Sequence, residues 1–161
     1  MALFAVAASA QMSDWERENA ERLKQSEEQH TAPPPIQRAR LVELQLEAES
    51  EYRYFVDASS LSVGDDRIVR YIMVAQAPGG VENVSFEGLR CPGEYRLYAV
   101  GRRDGSWSGR GSAWLPVPRD QRIGQNVLSR RYFCPARAAI RDAEEGVAAL
   151  HAGGHPASKQ Y

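Results

Sequence analysis

The run Arg67-Ile-Val-Arg-Tyr-Ile-Met-Val-Ala75 is apolar on both faces of an extended chain, interrupted only by Arg70. A strand of that kind has to be covered on both sides, so it belongs at the centre of a sheet. Around it the pattern is half-buried. Val42, Leu44 and Leu46 alternate with Glu43, Gln45 and Glu47, and Tyr52, Tyr54 and Val56 keep the same period of two. Gly64-Asp65-Asp66 supplies turn residues between Val63 and the central run, which predicts a hairpin. Residues 81–90 and 94–102 read as two more strands linked by Cys91-Pro92-Gly93. The expectation is an antiparallel sheet of about four to six strands over residues 39–115.

Downstream the spacing turns helical. Asp120 is expected to cap a helix carrying Ile123, Val127, Leu128 and Tyr132 on one side, and Pro135 to open another in which Ile140, Ala143, Val147 and Leu150 recur. Gly153-Gly154 ends it, and the last eight residues read as a disordered tail. Upstream, Ser13-Asp14-Trp15-Glu16 has capping-box spacing ahead of a charged helix over 13–29, and Pro33-Pro34-Pro35 stiffens the linker after it. The fold class is therefore α+β: an antiparallel sheet with C-terminal helices packed on it. Residues 1–10 read as the remnant of a signal peptide, 11–38 as charged helix and linker, 39–135 as the main domain, and 136–161 as C-terminal helix and tail.

Compartment follows from the first residues. Met1 to Ala10 carry no charge and end in Ala8-Ser9-Ala10, the small-x-small pattern read by signal peptidase, which places cleavage before Gln11. The stretch lacks a basic start, so the true start of the signal is expected upstream. No cysteine follows the cleavage point, and nothing else argues for a lipid anchor. No run reaches the roughly 18 apolar residues of a membrane helix.

The chain holds 2 cysteines, Cys91 and Cys134, each followed by proline and without CxxC spacing. In an exported chain an even pair reads as a disulfide. Two buried free thiols follow instead if the chain stays in the cytosol.

Charge nearly cancels overall but not locally. Residues 11–66 hold six Lys or Arg against thirteen Asp or Glu, whereas 89–141 hold eleven against three, all eleven arginine. Arginine's planar fork pairs well with phosphate or carboxylate. A neutral alternative is that the acidic N-terminal part simply balances this basic face. Trp107-Ser-Gly-Arg110-Gly-Ser-Ala-Trp114 adds two indoles and a guanidinium in one loop. Such a set can hold a sugar ring, a base or a peptide, or the indoles can plug a sheet edge. Arg102, Arg103, Trp107, Arg110 and Trp114 are the candidate ligand residues.

Arg70, inside the central strand, must be paired or wet, because an isolated buried ion costs several kcal/mol. Glu87 and Asp57 are its candidate partners. Enzyme readings are thin. His30, His151 and His155 fall in linker or tail, and there is no P-loop, dinucleotide fingerprint or zinc spacing. Paired carboxylates among Asp57, Asp65, Asp66, Glu82 and Glu87 keep a hydrolase open, although Asp65 and Asp66 suit a turn. No catalytic residue, cofactor or metal is assigned.

The strings Phe55-Val-Asp-Ala-Ser-Ser-Leu-Ser-Val-Gly-Asp-Asp-Arg-Ile-Val-Arg-Tyr71 and Glu82-Asn-Val-Ser-Phe-Glu-Gly-Leu-Arg-Cys91, with Tyr98-Ala99, Trp107 and Tyr132-Phe133-Cys134, form a longer pattern. Over roughly residues 40–135 it resembles the cryptic neisserial protein family of proteobacterial envelope proteins. The resemblance implies a periplasmic or lipoprotein-like location and a domain without assigned function. It carries over no catalytic residue, and the missing acylated cysteine departs from the lipoprotein members. The expected function is a non-catalytic envelope module that binds an envelope protein or an anionic envelope component, not nucleic acid. The alternatives are a carboxylate-dependent envelope hydrolase and an assembly factor docking through its N-terminal helix.

Overall fold

A computed structural model describes residues 14–29, 32–109 and 111–160. The proposed signal remnant 1–10, its cleavage point, Ser13, His30 and Arg110 lie outside the described residues. The strands are β1 (Leu41–Glu43), β2 (Arg53–Asp57), β3 (Ser62–Val63), β4 (Val69–Gln76), β5 (Glu82–Arg90), β6 (Glu94–Gly101), β7 (Trp107–Ser108) and β8 (Leu115–Pro116). They form one antiparallel sheet in the order β1-β2-β4-β5-β6-β7, with β3 also on β4 and β8 also on β6. The apolar run is β4, between β2 and β5 as its pattern demands, and the Gly64-Asp65-Asp66 turn joins β3 to β4. The first alternating run is shorter than its pattern. Only Leu41–Glu43 is strand, and Leu44 is buried outside it, its N–H given to the Tyr54 carbonyl.

The helices are α1 (Asp14–Gln29), α2 (Gly124–Val127) and α3 (Ala143–His151), and a π-helical segment, Leu128–Phe133, continues α2. Two helix starts differ from the sequence reading. The Asp120 carboxylate binds the Arg122 amide and side chain, making a turn, and the helix begins later, at Gly124. Pro135 opens only a 3₁₀ turn, Pro135–Arg137, and α3 is capped instead by Asp142, whose side chain accepts the Glu145 N–H. The C-terminus is also more structured than a disordered tail. Pro156–Gln160 form a 3₁₀ helix, and His155 Nε2 lies 3.0 Å from Glu145 Oε1 while its Nδ1 accepts the Ala157 N–H. With both ring nitrogens engaged, His155 has no free nitrogen to serve as a base for a neighbouring hydroxyl.

The sheet buries both faces. One, with Val56, Val69, Tyr71, Met73 and Leu89, packs on Val127, Leu128, Tyr132, Phe133, Ile140 and Leu150 of the helical layer. The other, with Ile72, Phe86, Tyr98 and Ala99, is covered by Ile36 of the proline-rich segment and by Trp107. That segment is fixed by the Gln37 N–H, donated to Asp57 Oδ2 at 2.6 Å. The Cys91–Cys134 disulfide, Cα–Cα 5.5 Å, ties the end of β5 to the end of the π-helical segment. This Cα spacing is ordinary for a disulfide.

Candidate functional site

Three buried charges organise the sheet, and their partners differ from the expected ones. Arg70 is fully buried and pairs with Asp66, Nη2 to Oδ2 at 2.6 Å and Nη1 to Oδ1 at 3.1 Å, not with Glu87 or Asp57. Register is the reason. On the β4–β5 ladder Arg70 faces Gly88 and Tyr71 faces Glu87, so Arg70 and Glu87 project from opposite sides of the sheet. Asp66 reaches Arg70 by folding back from the hairpin turn. Burial works against the Arg70 charge, but the hydrogen bonds and charge interactions with Asp66 and Tyr98 outweigh it and hold the pKa above the usual arginine value. Tyr98 is the extra residue of a bulge in β6. Its ring lies over Gly88, where an added Cβ would come within 2.7 Å of it, and 5.6 Å from the Arg70 guanidinium. Asp57 accepts the amides of Gln37 and Ser59 and so anchors a turn and the proline-rich segment.

Glu87 sits under the helical layer. It accepts the Tyr71 hydroxyl at 3.2 Å, the Ser85 hydroxyl at 2.7 Å and Gln125 Nε2 at 3.0 Å, which joins α2 to the sheet. Desolvation nevertheless raises its pKa above the usual glutamate value of 4.5, against the lowering effect of the three donors. Between that value and the raised one, the unfolded chain releases a proton that the folded chain keeps, so stability falls as pH rises through the window. Glu87→Gln cannot ionise. In thermal melts its stability relative to wild type is expected to improve steadily from pH 4.5 upward, and a difference that stays constant with pH contradicts this.

The predicted ligand residues separate into two places. Arg102, Arg103 and Trp107 line a cleft of about 520 Å³ together with Ile36, Val81 and Val84. Trp114 is elsewhere: its ring is stacked 3.9 Å from the Arg90 guanidinium, beside the start of β6. The two indoles lie toward opposite ends of β6: Trp107 is opposite Gly101, and Leu115, next to Trp114, is opposite Tyr95.

The cleft is built by two hairpin turns and the proline-rich segment. In the β4–β5 turn the Ala77 N–H binds the Val81 carbonyl, with Gly79 and Gly80 at φ +88° and +92°, a region side chains disfavour. In the β6–β7 turn the Arg102 N–H binds the Ser106 carbonyl. The Ser106 hydroxyl and amide hold the Asp104 carboxyl below its ordinary range and tie that loop down. Trp107 faces Gly101 across the ladder, where a Cβ would come within 2.9 Å of Val84, so the indole can lie across the strand onto valine. The third wall is Arg38, ion-paired to Glu82.

This pairing decides the electrostatics. The carboxylate on the wall is neutralised by Arg38. Arg102 donates to the Ser106 hydroxyl, at 3.4 Å, and its charge also acts on Asp104, whereas among the described residues Arg103 meets no acidic partner. Val81 is 59 % exposed, so an apolar and aromatic floor is open to solvent beneath two exposed guanidinium groups. The arrangement suits an anionic group joined to a ring or an apolar body. Ile36, Arg38 and Val81 escaped the sequence reading, which treated the proline-rich segment as a linker. The available signal was the pair of glycine turns bracketing β5 and β6.

The five carboxylates that kept a hydrolase open do not converge. Asp57 and Glu87 lie on opposite faces of the sheet, Asp66 is paired with Arg70, Glu82 with Arg38, and Asp65 is exposed on the hairpin. Among the described residues no group of three or more His, Cys, Asp or Glu could hold a metal ion. Among them, too, no helix is long and apolar enough to cross a membrane.

A family model matches residues 20–151, most of the chain. The chain belongs to the CNP1-like family. CNP1-like proteins are a bacterial family of unknown function, consistent with the resemblance read from the strings between Phe55 and Cys134. The CNP1-like match takes in the proline-rich segment, both turns of the cleft and α3. No curated protein and no solved structure matches this CNP1-like chain.

Proposed function

We propose that this CNP1-like chain is an exported, non-catalytic module of the bacterial envelope that binds an anionic envelope component through the Arg102–Arg103–Trp107 cleft. The observation that carries the reading is that Arg102, Arg103, which among the described residues meets no carboxylate, and an open indole–valine floor meet in one cleft. Export is supported by the small-x-small ending of residues 1–10 and by the paired cysteines, which suit an oxidising compartment. An acidic saccharide fits the chemistry, its ring on the indole and its charge on the arginines.

Dextran sulfate serves as an anionic polysaccharide probe and uncharged dextran as its control, followed by tryptophan fluorescence. The wild-type protein is expected to bind dextran sulfate with an affinity that falls as salt rises. Arg102→Glu/Arg103→Glu is expected to weaken binding at least tenfold, roughly 1.4 kcal/mol or more. Equal affinity in the double variant, or equal binding of uncharged dextran, overturns the reading.

A further inference from the structure

A second cleft, of about 450 Å³, opens beside the disulfide, on the helical side of the sheet. Its walls include Pro92, Arg130, Cys134, Ala136, Arg137 and Ser158. We propose that it binds one anionic group, a phosphate or a carboxylate, of a small ligand. This site is independent of the cleft at Arg102 and Arg103.

Two guanidinium groups supply the charge. Arg130 and Arg137 are both exposed, and among the described residues neither meets a carboxylate or another acceptor. The carboxylate on the wall, Glu47, lies 4.0 Å from Arg131 Nε, so a third arginine balances it. A neutral donor is also in place. Among the described residues the buried Ser158 Oγ has no hydrogen-bond partner, whereas the other hydroxyl of the cleft, on Ser129, is donated to the Pro92 carbonyl. A buried hydroxyl without a partner is unfavourable unless something fills its place, and an anion's oxygen would do so.

The backbone holds these groups in an unusual way. Ala136 and Arg137 have φ of 50° and 67°, left-handed values that non-glycine residues seldom adopt, and only Pro135 separates them from the disulfide-bonded Cys134. Arg130 lies on the π-helical segment, a widened turn that recurs at functional sites. Strained non-glycine residues persist where surrounding structure fixes them, and here the staple does so on one side. The result is two guanidinium forks and a serine on the lining of one formed cleft, residue types that recognise phosphate or carboxylate.

The test is an amide chemical-shift titration of the full chain with inorganic phosphate and, separately, with acetate. Saturable shifts at residues 130–138 and 158 are expected with at least one of the two, and the stronger binder assigns the anion as phosphate or carboxylate. Arg130→Gln/Arg137→Gln is expected to raise the Kd at least tenfold and Ser158→Ala several-fold, with the rest of the spectrum unchanged as evidence of an intact fold. Arg119→Gln, an exposed arginine that lines neither cleft, is expected to leave the Kd as it was. Shifts that never saturate with either anion, or a Kd unchanged in the arginine double variant, overturn the proposal.

Discussion

Replacing Asp66 with asparagine is expected to destabilise the fold by about 3–5 kcal/mol, the range for breaking a buried ion pair by removing one partner. Arg70 is fully buried, and the Asp66 side chain is only 4 % exposed. Without the carboxylate, the guanidinium keeps its charge in a site that cannot hydrate it, and Arg70 Nε already has no partner. The Ile68 amide also loses an ionised acceptor at Asp66 Oδ1. Arg70→Met removes the charge itself and leaves Asp66 free to take up a proton, so its loss is expected to be the smaller of the two. The double variant Arg70→Met/Asp66→Asn is expected to be clearly more stable than the sum of the single losses implies, because only one single variant strands a cation. Urea unfolding of all four proteins measures the coupling. Single losses that simply add contradict the pair.

The second large effect concerns the staple. Cys91→Ser/Cys134→Ser removes a cross-link spanning 43 residues. Its contribution through the unfolded chain's entropy is about 4 kcal/mol, against a net stability of roughly 5–15 kcal/mol for a domain. Without it the helical layer is held by packing, such as Tyr71 against Phe133 at 5.6 Å between ring centres. Hydrogen bonds remain as well, among them Gln125 to Glu87, the Gln45 amide to the Tyr132 hydroxyl, the Ser129 hydroxyl to the Pro92 carbonyl, and Arg67 to the Ala139 and Ile140 carbonyls. Those contacts keep the native layer in place but leave the unfolded chain unconstrained, so the double serine variant is expected to unfold at markedly lower urea concentration than the oxidised protein. A loss under about 1 kcal/mol would show that the unfolded chain gains little freedom when the bridge is absent.

The sheet was legible in the sequence because its signal is local. Val69 to Ala75 is apolar on both faces, and a strand with two buried faces has to lie inside a sheet. Turns rich in glycine and aspartate marked where the chain reverses. The disulfide was legible because the only two thiols of the chain are Cys91 and Cys134. What escaped depends on register. Whether Arg70 meets Glu87 or its own turn residue Asp66 is fixed by which residue lies across the ladder, and no pattern along one strand contains that. Trp107 pairs with Gly101 at one end of β6, whereas Leu115, the residue after Trp114, pairs with Tyr95 near the other, so a loop that reads as one constellation contributes to two places. The strands there are two residues each, too short for periodicity to show. Helix starts were misplaced at Asp120 and Pro135 because both residues serve turns as readily as helices.

The proposed export of this disulfide-stapled module is tested most directly by the oxidation state of Cys91 and Cys134 in fractionated cells. The account predicts that the mature chain is recovered from the envelope compartment beginning at Gln11. There it takes up no thiol-alkylating reagent when denatured, and two equivalents once it has been reduced. Recovery from the cytosol with residues 1–10 still attached and both thiols alkylated without reduction would contradict it.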